Sequence, residues 1–250
     1  MALTVGRIPY VSCEPFYFAM GAREIALYDL PPSAMAETAA KREIDAGPMP
    51  LVDCLRLDEG FRLLSGFCLA AIRKAGSVVL HAKRPIQELT DARIGVSAEA
   101  ATSFRLLQII LALKYQVQPA AYAPVVDSCD AILLVGNEGL RYRHGIREYP
   151  NTYDLGEEWH QWTGLPFVFA RWVVLKDLDR KQVAVLEDAL YNGLQDWADG
   201  LFRSSESRDG VAMHPRDRLE YTQGLRYFIG VPEQRAIELF QRYLDQLKTS

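Results

Sequence analysis

Strand-like and helix-like patterns of apolar residues follow one another along the whole chain. Residues 3–8 alternate apolar and polar side chains, which predicts a strand. Further on, short apolar runs predict strands, and apolar residues three or four positions apart predict amphipathic helices. This regular succession indicates an α/β protein. The strands are predicted at residues 3–8, 44–47, 77–82, 93–96, 130–135 and 168–175, and the helices at residues 33–42, 51–57, 101–115, 156–164, 183–197 and 237–247.

Several residues predict where these elements begin and end. Ser33 is a candidate N-cap for its helix, Pro85 ends the strand at residues 77–82, and Pro232 lies near the first turn of the last helix. After residue 175 the patterns predict helices only. The polar residues 204–209 predict an exposed loop between them.

The order of the elements predicts two lobes. Asp45-Ala46 and Asp130-Ala131 each follow a predicted helix and lead into a strand. This short repeat is consistent with two lobes built on similar βαβ units. The long strands near residues 77–82 and 168–174 bracket the middle of the chain. If both cross between lobes, the chain leaves the first lobe, builds the second and returns. We therefore predict a two-lobed, hinged α/β fold with a ligand cleft between the lobes, lobe one at residues 1–82 and 172–250 and lobe two at residues 83–171.

Composition and charge narrow the possible functions. The net charge of −4 provides no basic field for nucleic acid or anionic lipid, so we expect neither as a partner. No run approaches the ~18 apolar residues that cross a bilayer. The amino-terminal residues lack signal-peptide features, so we expect a cytoplasmic protein, either monomer or homodimer. The four cysteines and four histidines show no metal-ligand or redox spacing, so we expect no metal site.

The loop after the first strand carries residues suited to acid–base chemistry. Ligands gather outside the carboxyl ends of strands in open α/β sheets. Residues 9–16 place a tyrosine, a serine, a cysteine and a glutamate there. Tyr10, Ser12 and Glu14 are therefore candidate site residues. The alternative is a proline-bounded turn in which Cys13 is simply buried.

Three further segments are candidates for binding a small anion. Thr102 and Ser103 open a predicted helix, where backbone N–H groups and hydroxyls bind anions, although a hydroxyl there can equally serve as the helix cap. Gly76-Ser77-Val78 leads into a strand. Gly136-Asn137 follows another strand, but it is not a dinucleotide-binding fingerprint.

A block of eighteen residues at 153–170 carries the most specific signal. Its pattern Asp-Leu-Gly-x-x-Trp-x-x-x-Thr-Gly-Leu-Pro-Phe-Val-Phe-Ala resembles the hallmark of the chorismate dehydratases, the family that opens the futalosine route to menaquinone. The resemblance covers about residues 3–175. An Asn-Asp-Thr-Phe-like motif of the sister family, which makes a dihydroxynaphthoate, is missing. The supporting elements, in family order, are Gly6-Arg7-Ile8-Pro9-Tyr10, Ser12-Cys13-Glu14-Pro15, Gly76-Ser77-Val78, Ala101-Thr102-Ser103 and the segment from Ile132 to Glu138.

The resemblance implies a fold like that of type II periplasmic binding proteins and a lyase. The family's reaction removes water from chorismate to give 3-[(1-carboxyvinyl)oxy]benzoate, the first step of futalosine-pathway menaquinone biosynthesis. Loss of the ring hydroxyl and a neighbouring hydrogen creates an aromatic ring, so no cofactor is expected. Ser12 and Glu14 become the catalytic candidates. The substrate-binding candidates are Tyr10, Gly76, Ser77, Val78, Thr102, Ser103, Gly136, Asn137, Pro166 and Phe167.

Two departures from the family pattern leave several roles open. The family usually has Asn at the position of Ser12 and Asp at the position of Asn137. Ser12 and Glu14 are alternative proton donors to the departing hydroxyl, Glu14 is otherwise a salt-bridge partner, and the substrate's own carboxylate is a candidate base. A non-catalytic intracellular binding protein for a small aromatic or carboxylate anion is the competing class, and an enzyme with Cys13 as nucleophile is a third. The cations proposed for the substrate carboxylates are Arg7, Arg73, Arg105 and Arg171.

Overall fold

The computed structural model of the protein describes residues 2–56, 60–126, 128–201 and 211–249. The chain divides into two compact units, unit 1 with Met1–Leu69 and Ala170–Phe228, and unit 2 with Ala70–Phe169 and Ile229–Ser250. Each unit contains one β-sheet together with helices. The strands are β1 (Thr4–Arg7), β2 (Ala26–Asp29), β3 (Ala46–Pro50), β4 (Phe61–Ala71), β5 (Val78–Ala82), β6 (Arg93–Val96), β7 (Ala121–Pro124), β8 (Ala131–Val135), β9 (Asn151–Asp154), β10 (Phe167–Leu175) and β11 (Leu225–Phe228). The α-helices are α1 (Glu14–Tyr17), α2 (Pro32–Ala40), α3 (Leu51–Cys54), α4 (Ala101–Ile109), α5 (Gly136–Arg141), α6 (Leu155–Thr163), α7 (Arg180–Leu201), α8 (Pro215–Gln223) and α9 (Val231–Thr249).

The sheet of unit 1 has six strands in the order β11-β4-β10-β3-β1-β2. β1 runs parallel to β2 and β3, and β10 runs antiparallel to β3. The rings of Phe16 in α1 and Trp172 in β10 are fully buried and meet edge to face, 5.3 Å apart. Gly193 lets α7 approach α1, since a Cβ there would lie 2.8 Å from the carbonyl oxygen of Pro15. These contacts fix α1, which follows the loop after β1.

The sheet of unit 2 has five strands in the order β7-β6-β8-β5-β9. β6 runs parallel to β7 and β8, whereas β5 runs antiparallel to β8 and β9. As a result β6, β8 and β9 end, and β5 begins, at the same edge, which we call the carboxyl edge of unit 2. Helices α5 and α6 begin directly after β8 and β9, and α4 begins a few residues after β6. The first turns of three helices are therefore placed at this edge.

Asp45 and Asp130, the aspartates of the two Asp-Ala pairs, make equivalent backbone contacts in the two units. The Asp45 carboxylate accepts hydrogen bonds from the backbone N–H of Thr4 at 2.8 Å and from its hydroxyl at 2.6 Å. The Asp130 carboxylate accepts one from the backbone N–H of Arg93 at 2.8 Å. The N–H of each aspartate donates in return to the carbonyl of the same strand residue. Each aspartate thus fixes the start of a neighbouring parallel strand, β1 or β6.

The division into units differs from the predicted lobe boundaries at residues 82/83 and 171/172. β5 belongs to unit 2 because it lies between β8 and β9 in the five-stranded sheet. α9 belongs to unit 2 as well, where Phe240 packs edge to face against Trp159 of α6. Side-chain packing of the last helix therefore joins the chain terminus to the unit built from the middle of the sequence.

Most predicted elements are confirmed, and the differences have local causes. β1, β3, β5, β6, β8 and β10 and the helices α2, α3, α4, α6, α7 and α9 begin or end within a few residues of the prediction. Ser33 is not the cap of α2, because Pro31 is the N-cap residue and Pro32 begins the helix. The prediction of helices only after residue 175 is wrong, since β11 forms an edge strand of the first sheet. The loop predicted at residues 204–209 lies outside the described residues.

Candidate active site

A tight turn at the carboxyl end of β1 carries three predicted site residues. The N–H of Tyr10 donates to the carbonyl of Ile8 at 2.8 Å, and the N–H of Cys13 donates to the carbonyl of Tyr10 at 2.9 Å. Ser12 is buried, and its hydroxyl oxygen lies 3.8 Å from the Cys13 sulfur, the distance of a weak hydrogen bond. We call residues 10–14 the Ser12 turn, which brings Tyr10, Ser12 and Glu14 together.

Glu14 is held by a cation from far along the chain. Nη1 of Arg218 in α8 lies 2.8 Å from each carboxylate oxygen of Glu14. The Arg218 side chain is 8% exposed and that of Glu14 is 25% exposed. A guanidinium at this distance favours the charged carboxylate, which accepts protons rather than donating them. Glu14 is therefore poorly suited to be the proton donor that the sequence left open.

Burial makes Cys13 a poor nucleophile. The side chain is almost completely buried. Burial raises the pKa of the Cys13 thiol to about 12, an effect larger than the lowering by the hydrogen bond with Ser12. The thiolate is the reactive form of cysteine. At neutral pH Cys13 is a neutral thiol, which weighs against the third function class.

Five of the predicted substrate-binding residues meet at the carboxyl edge of unit 2. Val78 at the start of β5 pairs with Val135 at the end of β8, so the residues before β5 lie beside those after β8. α5 approaches this point very closely, since a Cβ on Gly139 would lie 2.3 Å from the carbonyl oxygen of Ser77. Ser77 itself is buried. The residues that meet are Gly76, Ser77, Val78, Gly136 and Asn137.

Asp154 fixes the chain just before Ser77. Its carboxylate accepts hydrogen bonds from the backbone N–H groups of Ala75 at 2.8 Å, Gly76 at 2.6 Å and Glu157 at 3.0 Å. The last of these makes Asp154 the N-cap of α6. Gly76 has a φ angle of 70°, a conformation that favours glycine. Burial raises the pKa of Asp154, while the three N–H donors and Lys74 act in the opposite direction. One buried carboxylate therefore joins the start of α6 to Ala75 and Gly76, which lead through Ser77 into β5.

Thr102 and Ser103 lie in the first turn of α4, and both are buried. The N-cap residue of α4 is Ala100, whose side chain cannot accept a hydrogen bond. The alternative in which one of the two hydroxyls caps the helix is therefore not supported. Ser77 belongs to the same unit as these two residues, because β5 is part of the same sheet.

Pro166 and Phe167 lie within an aromatic cluster of unit 2. The indole N–H of Trp159 donates to the carbonyl oxygen of Pro166 at 3.0 Å. The Phe167 ring is fully buried and packs edge to face against Trp159 and Phe240, with centroids 5.2 Å from each. The eighteen-residue block thus supplies core packing through its aromatic residues and hydrogen-bonded positioning through Asp154.

The four candidate cations differ in their surroundings. Arg7 donates two hydrogen bonds to the carboxylate of Asp29, one of them at 2.8 Å. Arg105 is exposed and donates to the side chain of Gln108 at 2.7 Å. Arg73 is exposed. Within the described parts of the chain, Nε of Arg171 is buried without a hydrogen-bond partner. An anionic ligand would satisfy that donor, which makes Arg171 the best placed of the four.

Among the residues that the structure describes, no group of three or more His, Cys, Asp or Glu side chains is arranged to hold a metal ion. No helix in the described ranges has the length and apolar character needed to cross a membrane.

The fold is that of the periplasmic binding proteins. A protein from Archaeoglobus fulgidus matches with a TM-score of 0.77 and 16% identity, covering 100% of this chain and 98% of that one. A Candida albicans gene product, described as exhibiting the generic periplasmic binding protein structural fold, matches with a TM-score of 0.62 and 13% identity over 100% of this chain and 91% of that one. At these identities the likeness concerns the fold alone.

The family is defined by the sequence. A family model described as menaquinone biosynthesis matches residues 3–246, so the chain belongs to the menaquinone biosynthesis family. The chorismate dehydratase of Thermus thermophilus is 26% identical over 213 residues, which cover 76% of this chain and 76% of that protein. The match to the family model includes the carboxyl-terminal region that the sequence motifs alone did not reach.

Sequence reasoning missed three residues that hold the site segments. Asp154 had a detectable signal, since an aspartate directly before a helical pattern is a typical N-cap. Arg218 and Tyr227 had none, because they lie about two hundred positions from the Ser12 turn that they contact. Only the folded chain brings these two residues to the turn.

Proposed function

We propose that the protein is a chorismate dehydratase, a hydro-lyase that converts chorismate to 3-[(1-carboxyvinyl)oxy]benzoate in the futalosine route to menaquinone. One observation carries the proposal. Segments that carry the family's motifs, separated in sequence, converge at the carboxyl edge of unit 2 as Gly76–Val78, Thr102–Ser103 and Gly136-Asn137. Membership of the menaquinone biosynthesis family and the Thermus thermophilus relative support the same reaction.

The carboxyl edge of unit 2 suits an anionic substrate. Chorismate carries two carboxylates, and the first turns of α4, α5 and α6 lie at this edge. Hydroxyls and backbone N–H groups at helix starts favour negative charge. We assign carboxylate binding to Ser77, Thr102 and Ser103.

The chemistry needs little beyond positioning and electrostatics. The carbon–oxygen bond to the ring hydroxyl breaks, the neighbouring carbon loses a proton, and the ring becomes aromatic as water leaves. The enolpyruvyl carboxylate of the substrate accepts that proton and passes it, directly or through water, to the departing hydroxide, which is released as water. Ser12 donates a hydrogen bond to the departing hydroxyl, directly or through water. Stabilising charge on that oxygen lowers the barrier only if the donor is held in place before reaction, as in a buried turn.

Of the two roles that the sequence left open for Glu14, the proposal takes that of salt-bridge partner. Its ion pair with Arg218 favours the charged form, so the proposal assigns the hydrogen bond to the departing hydroxyl to Ser12. The competing function, a non-catalytic binding protein for a small aromatic or carboxylate anion, would use the same anion-binding residues without turnover. The two functions differ in a single measurable outcome, the product formed from chorismate.

Purified protein treated with a chelator should convert chorismate to 3-[(1-carboxyvinyl)oxy]benzoate. The proposed elimination uses only the substrate's own carboxylate and hydrogen-bond donors of the protein, which is why treatment with EDTA should leave the rate unchanged. Liquid chromatography with mass detection measures both compounds over time. A calorimetric titration run in parallel distinguishes the competing function. Chorismate that binds but is recovered intact after hours would favour the binding protein and contradict the lyase.

Ser12→Ala should lower kcat about 10- to 100-fold and change the affinity for substrate far less. A hydrogen bond to a charged group contributes about 1.5–3 kcal/mol, and this one strengthens as charge develops on the departing oxygen. Ser12→Asn should retain activity, because it restores the group usual in the family. Ser65→Ala, an exposed site on β4, is the matched control and should behave as the wild type. Steady-state kinetics on the three variants provides the comparison, and wild-type turnover in Ser12→Ala would remove Ser12 from the mechanism.

A further inference from the structure

The Ser12 turn is held by a segment that lies outside the motif-bearing part of the sequence. α8 and β11, at residues 215–228, belong to unit 1 together with the turn. Tyr227 of β11 donates its hydroxyl hydrogen to the backbone carbonyl of Ser12 at 3.1 Å. The Tyr227 ring meets the buried Phe16 edge to face, 5.2 Å between centroids. Arg218 of α8 binds the Glu14 carboxylate.

These contacts fix both ends of the short segment that carries the Ser12 hydroxyl. The bond from Tyr227 fixes the Ser12 carbonyl, and the ion pair fixes Glu14 two residues later. α8 is itself anchored, since Thr222 accepts a hydrogen bond from the indole N–H of Trp197 in α7 at 3.3 Å. The turn therefore rests on a rigid support rather than on its own backbone hydrogen bonds alone.

The ion pair is better explained by geometry than by stability. Arg218 is largely buried, and burying a charge pair costs desolvation that its attraction often only balances. A charged pair at this position, unlike an apolar one, defines where Glu14 sits and how the turn ends.

We infer that Arg218 and Tyr227 are positioning residues for the Ser12 turn. They contact no substrate in this assignment and act through Glu14 and the Ser12 backbone. The test of this inference by kcat rests on the proposed dehydratase reaction. The test by hydrogen exchange does not depend on that reaction. It extends the functional part of the chain to α8 and β11.

The test compares Tyr227→Phe, Arg218→Met and Arg218→Lys with two controls. Arg216→Met changes an exposed arginine of the same helix, and Tyr191→Phe changes an exposed tyrosine of α7. We expect Tyr227→Phe to lower kcat about 3- to 10-fold and Arg218→Met about 30- to 100-fold, with KM for chorismate changed less than about threefold. Arg218→Lys should recover most of kcat. Both controls should match the wild type in kcat, KM and Tm.

A double-mutant cycle tests whether Arg218 acts through Glu14. Glu14→Gln combined with Arg218→Met should be no slower than Arg218→Met alone, because the ion pair that Glu14→Gln would weaken is already absent in that variant. Additive losses in kcat would overturn the assignment. So would Arg218→Met or Tyr227→Phe with wild-type kcat, or Arg218→Lys with no recovery at unchanged Tm.

Hydrogen exchange separates failure of the inference from failure of the proposed reaction. Amide exchange of residues 10–17 should speed up in Tyr227→Phe and Arg218→Met and stay unchanged in both controls, whether or not chorismate is converted. If the wild type makes no product, the dehydratase proposal fails and exchange alone judges the positioning. Unchanged exchange in both variants would overturn the inference even in an active enzyme.

Discussion

Replacing Thr102 and Ser103 together by alanine should weaken binding of 3-[(1-carboxyvinyl)oxy]benzoate by about 10²- to 10⁴-fold. Each lost hydrogen bond to a charged group costs about 1.5–3 kcal/mol, and two together give that range. Both residues are in the first turn of α4, at the carboxyl edge of unit 2. Isothermal titration calorimetry with the product avoids turnover during the measurement. The melting temperature should change little, because the cap residue of α4 is Ala100 and no side-chain cap is removed.

A matched control uses a hydroxyl in the first turn of another helix. Ser33 is exposed in the first turn of α2, in unit 1, so Ser33→Ala should leave both affinity and melting temperature unchanged. The opposite pattern in the double variant, with a large loss of melting temperature and intact affinity, would mean that the two hydroxyls serve the helix and not the ligand.

Asp154→Ala should lower the free energy of unfolding by about 3–5 kcal/mol and abolish product binding. The change leaves the buried N–H group of Ala75 and the partly buried N–H groups of Gly76 and Glu157 without their acceptor. An unsatisfied buried donor costs about 1–3 kcal/mol, and a partly buried one costs less because water can reach it. The loop that precedes Ser77 loses the group that holds it. Urea unfolding followed by tryptophan fluorescence reports on both units, since Trp159 and Trp162 lie in α6 and Trp172 and Trp197 lie in unit 1.

Two further variants sharpen this result. Asp154→Asn keeps an acceptor for part of the N–H cluster and should cost less than half as much as alanine. Glu157→Ala removes an exposed carboxylate from the same helical turn, and should cost no more than about 0.5 kcal/mol. If Asp154→Ala and Glu157→Ala lowered the free energy of unfolding equally, the negative charge at the start of α6 would explain the stabilisation, and the three hydrogen bonds to Asp154 would not.

The strands of both sheets were predictable where apolar residues form unbroken runs. β6 and β8 are four and five residues long, and both appear in the sequence as short apolar segments. β4 was missed, although it is eleven residues long. Gly66 interrupts it with a φ angle of 91°, and its burial does not alternate along the strand. A regular period is the signal on which strand prediction depends, and β4 does not provide one.

Some parts of the candidate site could be predicted from local sequence, whereas others depend on contacts between distant residues. Position after β1 made the Ser12 turn a candidate, because β1 and its neighbours run parallel and end together. The meeting of Gly76–Val78 with Gly136-Asn137 depends on the register between β5 and β8, which is a long-range property. The ion pair of Glu14 depends on α8, a helix of low apolar content that no pattern distinguished. Resemblance to the family identified the segments of the candidate site, whereas the residues that contact those segments became known only from the structure.

The strand order of the first sheet has a consequence for how the chain folds during synthesis. β10 lies between β4 and β3, so the strands made first form two pieces that cannot join until β10, which begins at Phe167, has left the ribosome. All five strands of the second sheet lie between residues 78 and 154. The sheet encoded second is therefore complete first, and the amino-terminal strands wait with their edges unpaired. We therefore expect the strands β1 to β4, which include the strand that leads into the Ser12 turn, to be the part of the chain most in need of chaperones during translation.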